Sequence, residues 1–427
     1  MPKKRVVITG VGAVTPLGND VSSTWQGLRQ GRSGIRRIQL FNAESFPTKI
    51  AGEVKNADLS RWKKTSGEYT HLGRNSLFAL EAAAEAMAQA GLKDHPLDPA
   101  RVGVYFGAGD GGFDFEEYAS ILSDSLREDA SIDTKRYFQH SASRMDAKAL
   151  LEQEPFQVIN HLARTFNAQG MVSNCLTACA ASSQAIGEAA ETIRRGHADV
   201  MISGGSHSMI HPLGLAGFNL LTALSTRNEE PEKASRPFDK NRDGFVLSEG
   251  SGVLILEELE HAKKRNAPIL AELVGYGGSA DAFRLTDPHP EGRGAILAMR
   301  RALKDASLTP QDIDYINAHG TSTQLNDQIE TQAVKEVFQD RAKKVPMSSI
   351  KSMLGHMIAA AGAVELIASV LTIRESIVPA TINYEVRDET CDLDYVPNIA
   401  RRQKVKTVLS NSFGFGGQNI TLIVRKF

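Results

Sequence analysis

The sequence predicts an α/β layered fold, and two observations support this prediction. Strand-like apolar runs alternate with helix-like segments along the whole chain, which is the pattern of layered α/β proteins. The order strand, helix, strand, helix, strand occurs twice, which indicates an internal duplication. A chain of 427 residues is also long for a single hydrophobic core, so two related halves are expected.

The first half opens with a strand at residues 6–8 that ends in a glycine-rich turn. A helix over 74–92 is rich in alanine, and Gly91 is placed to end it. Residues 101–109 form a continuous apolar run, which predicts a buried strand. The polar stretch that follows lacks strand periodicity and predicts a helical insertion over about residues 110–165.

The remaining elements follow in a regular order. They are a helix over 180–195, a strand over 198–205, a strand over 268–280, a helix over 294–308, a strand over 313–320, a helix over 327–338, a turn-rich segment over 348–371 and a last pair of strands around 407–424. We place the N-terminal half at residues 1–265 and the C-terminal half at residues 266–427. Each half carries a short polar motif after a middle strand, "TAC" in one and "AHGTST" in the other.

Composition and charge are those of an ordinary globular protein. Hydrophobic residues make up 41% of the chain and charged residues 23%, and the net charge of -1 gives no sign of a nucleic-acid binder. The apolar run near the start is too short for a signal peptide, and the best membrane-span candidate, residues 357–371, carries Glu365 in its middle. Three cysteines argue against a disulfide framework and fit a reducing, cytoplasmic environment.

The glycines of "GAGDGG" imitate a dinucleotide-binding fingerprint. Gly107, Gly109 and Gly112 have the G-x-G-x-x-G spacing and follow a predicted strand. A dinucleotide site also needs a compact βαβ unit with an acidic residue about 20 residues further on. The helical insertion leaves no second strand within reach, so we interpret these glycines as a turn.

A second stretch, "DKNRDGFVLSEG", imitates a calcium-binding loop. Asp239 and the polar residues after it match the first ligand positions, but the twelfth position is Gly250. A calcium loop needs a bidentate carboxylate at this position, and Glu249 comes one residue early. The sequence therefore favours a turn with side-chain-to-backbone hydrogen bonds over a metal site.

Cys179 is the strongest candidate for a nucleophile. Its immediate neighbours are alanines and a serine, which leave room for a substrate. The helix that follows would place its free N–H groups and its positive dipole end at the sulfur, which favours the thiolate and can hold a developing oxyanion. The alternative is a buried structural cysteine, and this is the interpretation that we prefer for Cys175.

Two histidines lie next to the ends of predicted elements. His319 in "NAHGTST" ends an apolar strand, and His356 in "KSMLGHMIAAAG" precedes a helix of small residues. Imidazoles in such positions serve as hydrogen-bond donors to a carbonyl or as general bases, and a purely structural loop histidine is the alternative. Lys351 and Glu365 flank His356 and can form an ion pair, which is orienting if buried and of little effect at the surface.

The stretch "NSFGFGG" near the C-terminus places two aromatic rings between glycines. Phe413 and Phe415 can be core residues beside a β-turn. They can also form a gate, in which an aromatic side chain on a glycine hinge closes a pocket. The sequence alone leaves both interpretations open.

Together these motifs resemble the condensing enzymes of fatty-acid and polyketide synthesis, the β-ketoacyl-[acyl carrier protein] synthases, and most closely those of type II. The resemblance covers nearly the whole chain and is carried, in order, by "TAC", "LSTRNEEPEKASRPFDKNRDGFVLSEGSG", "NAHGTST", "SSIKSMLGH" and "NSFGFGGQN". It implies a thiolase-like fold of two related halves, each a five-stranded mixed sheet layered with helices, and a homodimer. It implies neither a metal nor a redox cofactor.

The resemblance also implies roles for individual residues. Cys179 would carry the acyl chain as a thioester, while His319 and His356 would bind the malonyl thioester, promote loss of CO₂ and stabilise the enolate. A thioester suits a soft nucleophile that also leaves well. The resemblance further implies that Lys351 and Glu365 form a supporting pair, and that Thr321 and Thr323 contact the phosphopantetheine arm. The amides of Cys179 and Phe415 would form an oxyanion hole, and Asp327 would be the acidic residue after the histidine. Phe415 would also act as a gate, with Phe218 as its partner and Phe413 in the same loop.

Two features depart from the family pattern. The segment over 110–155 is longer and more polar than the usual connection. Asp110 stands where these enzymes usually carry an aliphatic residue that lines the acyl pocket, and a carboxylate there resists burial against hydrocarbon. We therefore expect an acyl chain that is short, unsaturated or functionalised, in fatty-acid synthesis or in a specialised polyketide or polyene-type pathway.

The implied partner is an acyl carrier protein, which is acidic and bears phosphopantetheine. Its docking would need a basic patch near the mouth of the pocket. Arg61, Lys63, Lys64 and Arg74 are the candidates for this patch. A solvated helix face is the alternative interpretation of the same four residues.

Two other functions compete with that of a condensing enzyme. A non-catalytic partner subunit of the chain-length-factor type lacks the nucleophile, whereas Cys179, both histidines and Lys351 are present here. A coenzyme-A-dependent thiolase carries a second cysteine near its C-terminus, and "NSFGFGGQN" contains none. The sequence therefore favours decarboxylative condensation of an acyl thioester with malonyl-acyl carrier protein to give 3-oxoacyl-acyl carrier protein.

Overall fold

A sheet of ten strands runs through the centre of the protein in the computed structural model, which describes residues 3–63, 72–92, 95, 97–109 and 115–427. The strands of this sheet, in chain order, are β1 (Val6–Val14), β2 (Val102–Ala108), β3 (Val172–Cys175), β4 (Val200–His207), β5 (Gly250–Glu258), β6 (Ala271–Ala280), β7 (Tyr315–Asn317), β8 (Met347–Ser348), β9 (Thr407–Phe413) and β10 (Gln418–Arg425). Two short antiparallel pairs lie outside it, Arg36–Arg37 with Ile50–Ala51 and Ile377–Val378 with Arg401–Arg402.

Both halves of the sheet have the same topology. The strand order is β8-β7-β9-β10-β6-β1-β5-β4-β2-β3, so each half arranges its own five strands in the order 3-2-4-5-1. In each half the second strand pairs in parallel with the third and the fourth, and the fifth pairs antiparallel with the fourth and the first. The halves join where β1 pairs antiparallel with β6. This repeated topology confirms the predicted duplicated α/β fold.

Helices form the layers on the faces of the sheet. In the described residues they are α1 (Val21–Arg29), α2 (Ser60–Lys63), α3 (Arg74–Gln89), α4 (Phe115–Asp124), α5 (Thr134–Arg144), α6 (Ala147–Leu151), α7 (Phe156–Thr165), α8 (Ala181–Arg194), α9 (Pro212–Leu220), α10 (Leu259–Lys264), α11 (Arg293–Ala306), α12 (Gln324–Phe338), α13 (Lys351–Leu354) and α14 (Ala361–Glu375). α4 to α7 lie in the segment predicted as a helical insertion, and the proposed boundary between the halves lies between α10 and β6. Within the described part of the chain, none of the helices is long and apolar enough to cross a membrane.

α3 packs directly on β1 because the β1 residue at the contact is a glycine, which has no side chain. A Cβ atom at Gly12 would lie 1.9 Å from the carbonyl oxygen of Ala82, so no larger residue fits there. The helix ends just before Gly91, whose φ of 66° is left-handed. Gly91 therefore ends the helix, as its place in the sequence predicts.

α8 and α14 form the central layer, and a turn of 3₁₀ helix precedes each of them. These turns are Ala178–Ala180 and Ile358–Ala360, and they contact each other. The two helices approach closely through small residues, since a Cβ atom at Gly362 would lie 2.0 Å from the Ser183 Oγ. Side chains from both helices and from strands of both halves share one buried cluster. The packing brings the N-terminal ends of the two helices together.

β5 and the segment around α14 differ from the prediction. No strand is predicted at β5, and the segment over 348–371, predicted as turn-rich with a helix of small residues after His356, contains α13 and most of α14. β5 is buried on both faces, and nearly every residue of α14 is buried. Neither element therefore shows the alternation or the amphipathic period that reveals a strand or a helix in a sequence.

Candidate active site

Cys179 lies in the 3₁₀ turn that leads into the N-terminus of α8. The residue before it, Ala178, has a φ of 46°, a left-handed conformation that is rare for alanine and that turns the chain sharply. The Cys179 side chain is buried, with 4% of its surface exposed. The backbone N–H groups of Phe415 and of Cys179 itself lie within hydrogen-bonding reach of the sulfur. The two amides named in the oxyanion-hole prediction therefore lie together at the thiol.

Burial raises the pKa of the Cys179 thiol to about 11, although the amide of Phe415 and the charge of Lys351 act in the opposite direction. The amides beside the sulfur favour the thiolate, as expected, but burial outweighs them in the free enzyme. Removal of water from the sulfur is the largest of the effects on this pKa. The thiol proton has to leave as the sulfur attacks a substrate.

His319 follows β7, where the chain turns toward α12. Its ring Nδ1 lies 3.3 Å from the Lys351 Nζ, which also donates to the His319 carbonyl oxygen at 2.6 Å. An ammonium group only donates hydrogen bonds, so Nδ1 of the neutral ring accepts and Nε2 carries the proton. His319 therefore has a free N–H donor at Nε2.

His356 reaches the same tautomer through a backbone contact. It follows Gly355, whose φ of 75° ends α13, and its Nδ1 accepts a hydrogen bond from the Ile358 N–H at 3.3 Å. Nε2 therefore carries the ring proton. The ring centroids of His319 and His356 are 5.4 Å apart with an interplanar angle of 81°. Two neighbouring imidazoles thus offer one N–H donor each.

Both imidazoles are neutral at physiological pH. Burial holds the pKa of His319 and of His356 well below the usual value, and the positive charge of Lys351 adds to this effect. A neutral imidazole donates a hydrogen bond to a developing oxyanion without first needing to lose or gain a proton. The site is therefore set for hydrogen-bond donation over the ordinary pH range.

A buried ion pair holds the His319 side chain in position. The side chains of Lys351 and Glu365 are each 2% exposed and contact each other directly. Burial raises the pKa of the Glu365 carboxyl, and the Lys351 charge opposes this rise. The ammonium group divides its hydrogen bonds between Glu365 and the backbone and ring of His319, which fixes the position of the imidazole.

Two buried carboxylates of α12 hold the loop that carries His319. Glu330 accepts from the His319 N–H at 2.9 Å, and burial raises its pKa to about 7. Asp327 accepts from the Thr321 N–H at 3.0 Å. Glu330 is absent from the residues predicted from the sequence. Its position three residues after Asp327, on the same face of one helix, is the signal that indicates it.

A cavity of about 420 Å³ lies beside these groups, and residues from both halves line it. Its lining includes the predicted residues Cys179, His319, His356, Thr321, Thr323, Phe413 and Phe415. The Thr321 and Thr323 hydroxyls lie 2.8 Å apart and hydrogen bond to each other. The nucleophile candidate and both imidazoles therefore line one cavity, whereas Lys351 and Glu365 do not line it.

Phe218 does not line this cavity, although the sequence places it beside the gate. Its ring packs edge-on against Phe245 with centroids 5.5 Å apart, and Phe245 in turn lies 5.2 Å from the His356 ring. Phe218, Phe245, Phe415 and Cys179 share one hydrophobic cluster. Phe245 is thus a second site residue that the sequence analysis lacks, and only its contacts in the fold indicate it.

Several predicted residues lie outside the described part of the chain. Asp110, the proposed departure in the acyl pocket, is one of them, as are Lys64 of the basic patch and Gly112 of the glycine-rich motif. Lys63 ends α2, and its side chain is also outside the described set. The interpretations of these residues remain predictions.

The two arginines of the predicted basic patch are paired with carboxylates. Arg61 forms an ion pair with Glu81 at 2.7 Å, and Arg74 forms one with the fully buried Glu249. Neither arginine lines the cavity that contains Cys179. Part of their positive charge is therefore neutralised within the protein, which leaves less of it for an acidic partner.

The stretch that imitates a calcium loop forms the predicted turn. The Asp239 carboxylate accepts a hydrogen bond from the Asn241 N–H at 2.8 Å, two residues further on. Its other oxygen accepts from the N–H groups of Glu385 and Val386 at 2.7 and 2.6 Å. This carboxylate is therefore used to join two loops of the chain.

The chain is similar to known proteins over nearly its whole length. A family model described as "Beta-ketoacyl synthase, N-terminal domain" matches residues 3–262, and one described as "Beta-ketoacyl synthase, C-terminal domain" matches residues 270–385. A "3-oxoacyl-[acyl-carrier-protein] synthase 2" of Coxiella burnetii is 46% identical, and the match covers 100% of this chain and 99% of that protein. A protein of the same name from Synechocystis sp. is 44% identical, with the same coverage.

A solved structure is similar in fold as well as in sequence. It is titled "AntDE:AntF (apo): type II PKS acyl-carrier protein in complex with its ketosynthase bound to the hexaketide". The TM-score is 0.88 and the sequence identity 35%, and the match covers 100% of both chains. The similarity therefore extends over the whole length of the fold.

Proposed function

This chain belongs to the beta-ketoacyl synthase family, and on that premise we propose that it catalyses the decarboxylative Claisen condensation of an acyl thioester with malonyl-acyl carrier protein. The product is a 3-oxoacyl-acyl carrier protein. The observation that carries the proposal is the cavity shared by Cys179, His319 and His356. A nucleophile that also leaves well and two N–H donors beside it are the groups that this reaction needs.

In the first half-reaction, the Cys179 sulfur attacks the carbonyl carbon of the acyl thioester. The N–H groups of Cys179 and Phe415 hold the oxyanion that develops on the carbonyl oxygen. The bond between this carbon and the phosphopantetheine sulfur then breaks, and the proton of the Cys179 thiol leaves with that sulfur. The acyl chain remains as a thioester on Cys179, and no net charge is created in the buried site.

In the second half-reaction, a malonyl thioester enters the same cavity and loses its carboxylate as CO₂. The electron pair of the broken carbon–carbon bond forms an enolate, whose oxygen accepts hydrogen bonds from the Nε2–H groups of His319 and His356. The enolate carbon attacks the carbonyl carbon of the Cys179 thioester. The Cys179 sulfur leaves and takes up one proton from solvent, which restores the thiol.

The variants His319→Ala and His356→Ala are expected to separate the two half-reactions. Both keep Cys179 and the amides beside it, so intact-mass spectrometry should still show acylation by an acyl-carrier thioester. Release of CO₂ from malonyl-carrier protein should fall by about 10²- to 10³-fold in each variant, because each loses one donor to the enolate oxygen.

The matched control for these variants is His197→Ala, which alters an exposed histidine in the turn after α8. It should behave like the parent protein in both assays. The proposed function is wrong if no member of a panel of acyl-carrier thioesters acylates the parent protein. It is also wrong if either active-site variant releases CO₂ at the parent rate.

The acyl and malonyl groups are proposed to arrive on an acyl carrier protein. The similar ketosynthase of known structure was solved in complex with its acyl carrier protein, and the Coxiella relative is named for that partner. Thr321 and Thr323 line the cavity and have hydroxyls that can hydrogen bond to the amide groups of a phosphopantetheine arm. We place the reaction in the cytoplasm, because the three cysteines are free and catalysis on Cys179 needs a reduced thiol.

The protein is further proposed to act as a homodimer joined at β3. This strand ends the sheet, and no other strand among the described residues pairs with its outer side. Met171, Val172 and Leu176 beside this edge are 47%, 38% and 63% exposed. An exposed apolar edge strand favours pairing with another chain, and antiparallel pairing of two copies of β3 would extend the sheet across a twofold axis.

The variant Val172→Lys is expected to shift the protein from dimer to monomer. At a twofold interface the introduced ammonium group would meet its own copy, and its desolvation would oppose association. The measurement is sedimentation velocity at micromolar concentration. Ile399→Lys is the control, because Ile399 is 80% exposed in the C-terminal half and should tolerate the charge. A monomeric parent protein, or a Val172→Lys variant that stays dimeric, contradicts pairing at β3.

A further inference from the structure

His207 is a buried histidine that the reaction described above does not use. It is the last residue of β4 and is 1% exposed, and neither ring nitrogen has a hydrogen-bond partner among the described residues. Burial, together with the nearby His211, lowers its pKa to about 3, so the ring is neutral and offers one donor and one acceptor. Buried polar atoms without partners destabilise a fold, and such a group is often kept for a ligand.

Strand geometry places this ring near the N-terminal end of α8, where the nucleophile lies. Side chains alternate along β4, so His207 is on the same face as Gly205. A Cβ atom at Gly205 would lie 2.7 Å from the Ser182 Cβ in the first turn of α8. His207 lies one step further along this face, toward the end of the strand. It is also close enough to His356 for an electrostatic interaction between the two rings to lower the pKa of His356.

The other side of the ring faces Gly109, which follows β2. A Cβ atom at Gly109 would lie 3.5 Å from the His207 Nδ1, so the glycine leaves space beside this nitrogen. The chain after His207 borders a second cavity of about 710 Å³, which is lined by Ser208 and Ile210 among others. Ile210 also belongs to the hydrophobic cluster that contains Cys179. His207 itself lines neither cavity, and the residues after it border the second cavity and, through Ile210, the cluster that contains Cys179.

We propose that His207 forms a polar subsite for the acyl chain held on Cys179 and hydrogen bonds to an oxygen substituent on that chain. This inference rests on the proposed condensing function and names its substrate class, an acyl group that carries a hydroxyl or keto oxygen near the thioester. A hydroxyl can pair with the imidazole as donor or as acceptor, whereas a methylene leaves both nitrogens unpaired. A site built to hydrogen bond to a substrate discriminates strongly against the analogue without the polar group.

The test compares two acyl-carrier thioesters of equal length, one saturated and one with a 3-hydroxyl group. The readout is kcat/KM for acylation of the full-length protein, followed by intact-mass spectrometry. The parent protein is expected to prefer the hydroxylated chain by about 10-fold or more. In His207→Leu this preference should fall by about 10-fold, whereas His207→Gln retains a donor and an acceptor and should keep most of it.

A stability measurement separates substrate binding from a structural role. His207→Leu removes two unpaired buried polar atoms, so it is expected to raise the Tm while it lowers the preference. His197→Leu, in the exposed turn after α8, is the control and should change neither quantity. The subsite is wrong if the parent protein has no preference, or if both His207 variants keep it in full. Failure of both thioesters to acylate the parent protein would instead overturn the condensing function.

Discussion

Replacing Cys179 with alanine is expected to abolish acylation of the protein and to lower the rate of condensation by at least about 10³-fold. Cys179 lines the cavity that it shares with His319 and His356, and without its sulfur no acyl-enzyme thioester can form. Intact-mass spectrometry after incubation with an acyl-carrier thioester measures the first effect. An assay of the 3-oxoacyl product measures the second.

Cys175→Ala is the matched control for this substitution. Cys175 is also a buried thiol, 5% exposed, and its sulfur contacts the Thr177 hydroxyl at 3.3 Å. It does not line the cavity, so its removal should leave acylation intact. An acyl adduct that persists in Cys179→Ala, or that disappears in Cys175→Ala, would place the nucleophile elsewhere.

The substitution Lys351→Met is expected to destabilise the protein by about 3–5 kcal/mol and to slow condensation. It leaves the Glu365 carboxyl buried without its cation, and loss of one partner of a buried ion pair is costly. It also removes the donor to the His319 Nδ1, so the ring proton is free to move to that nitrogen and away from the enolate. Denaturant unfolding measures the stability, and kcat measures the effect on the reaction.

The double variant Lys351→Met with Glu365→Leu separates these two effects. An apolar pair of similar volume is often as stable as the buried ion pair that it replaces, so most of the lost stability should return. The activity should stay low, because the donor to His319 is still absent. Lys263→Met in the exposed pair with Glu260 is the control and should change neither property. Full activity in the double variant would show that Lys351 contributes only to the stability of the fold and not to the reaction.

Much of the fold follows from local patterns in the sequence. β2 and α8 agree with the predicted strand and helix because their apolar residues lie in runs that are bounded by glycine or polar turns. β5 is missed and α14 is predicted only as a helix of small residues in a turn-rich segment, since burial leaves neither element a polar face to mark its period. β2 is buried in the same way, and what marks it in the sequence is the glycine-rich turn after its apolar run.

Local sequence patterns reveal only some of the residues of the candidate site. Cys179, His319 and His356 stand out because each lies in a short polar or small-residue motif beside a predicted element. Glu330 and Phe245 lack such a motif, and their places in the site become visible only through a hydrogen bond to the His319 loop and a ring contact with His356. Contacts between distant segments leave little trace in any one stretch of sequence.

The sequence by itself determined the alternation of strands and helices, the repeated halves and the residue types able to carry thioester chemistry. Only the tertiary structure decided that a cysteine of the first half and two histidines of the second line one cavity. It also decided that burial outweighs the neighbouring amides in setting the pKa of Cys179, and that both nitrogens of His207 have no partner in the described chain. The physical reason is that periodicity is a local property, whereas distance and desolvation depend on which remote segments pack together.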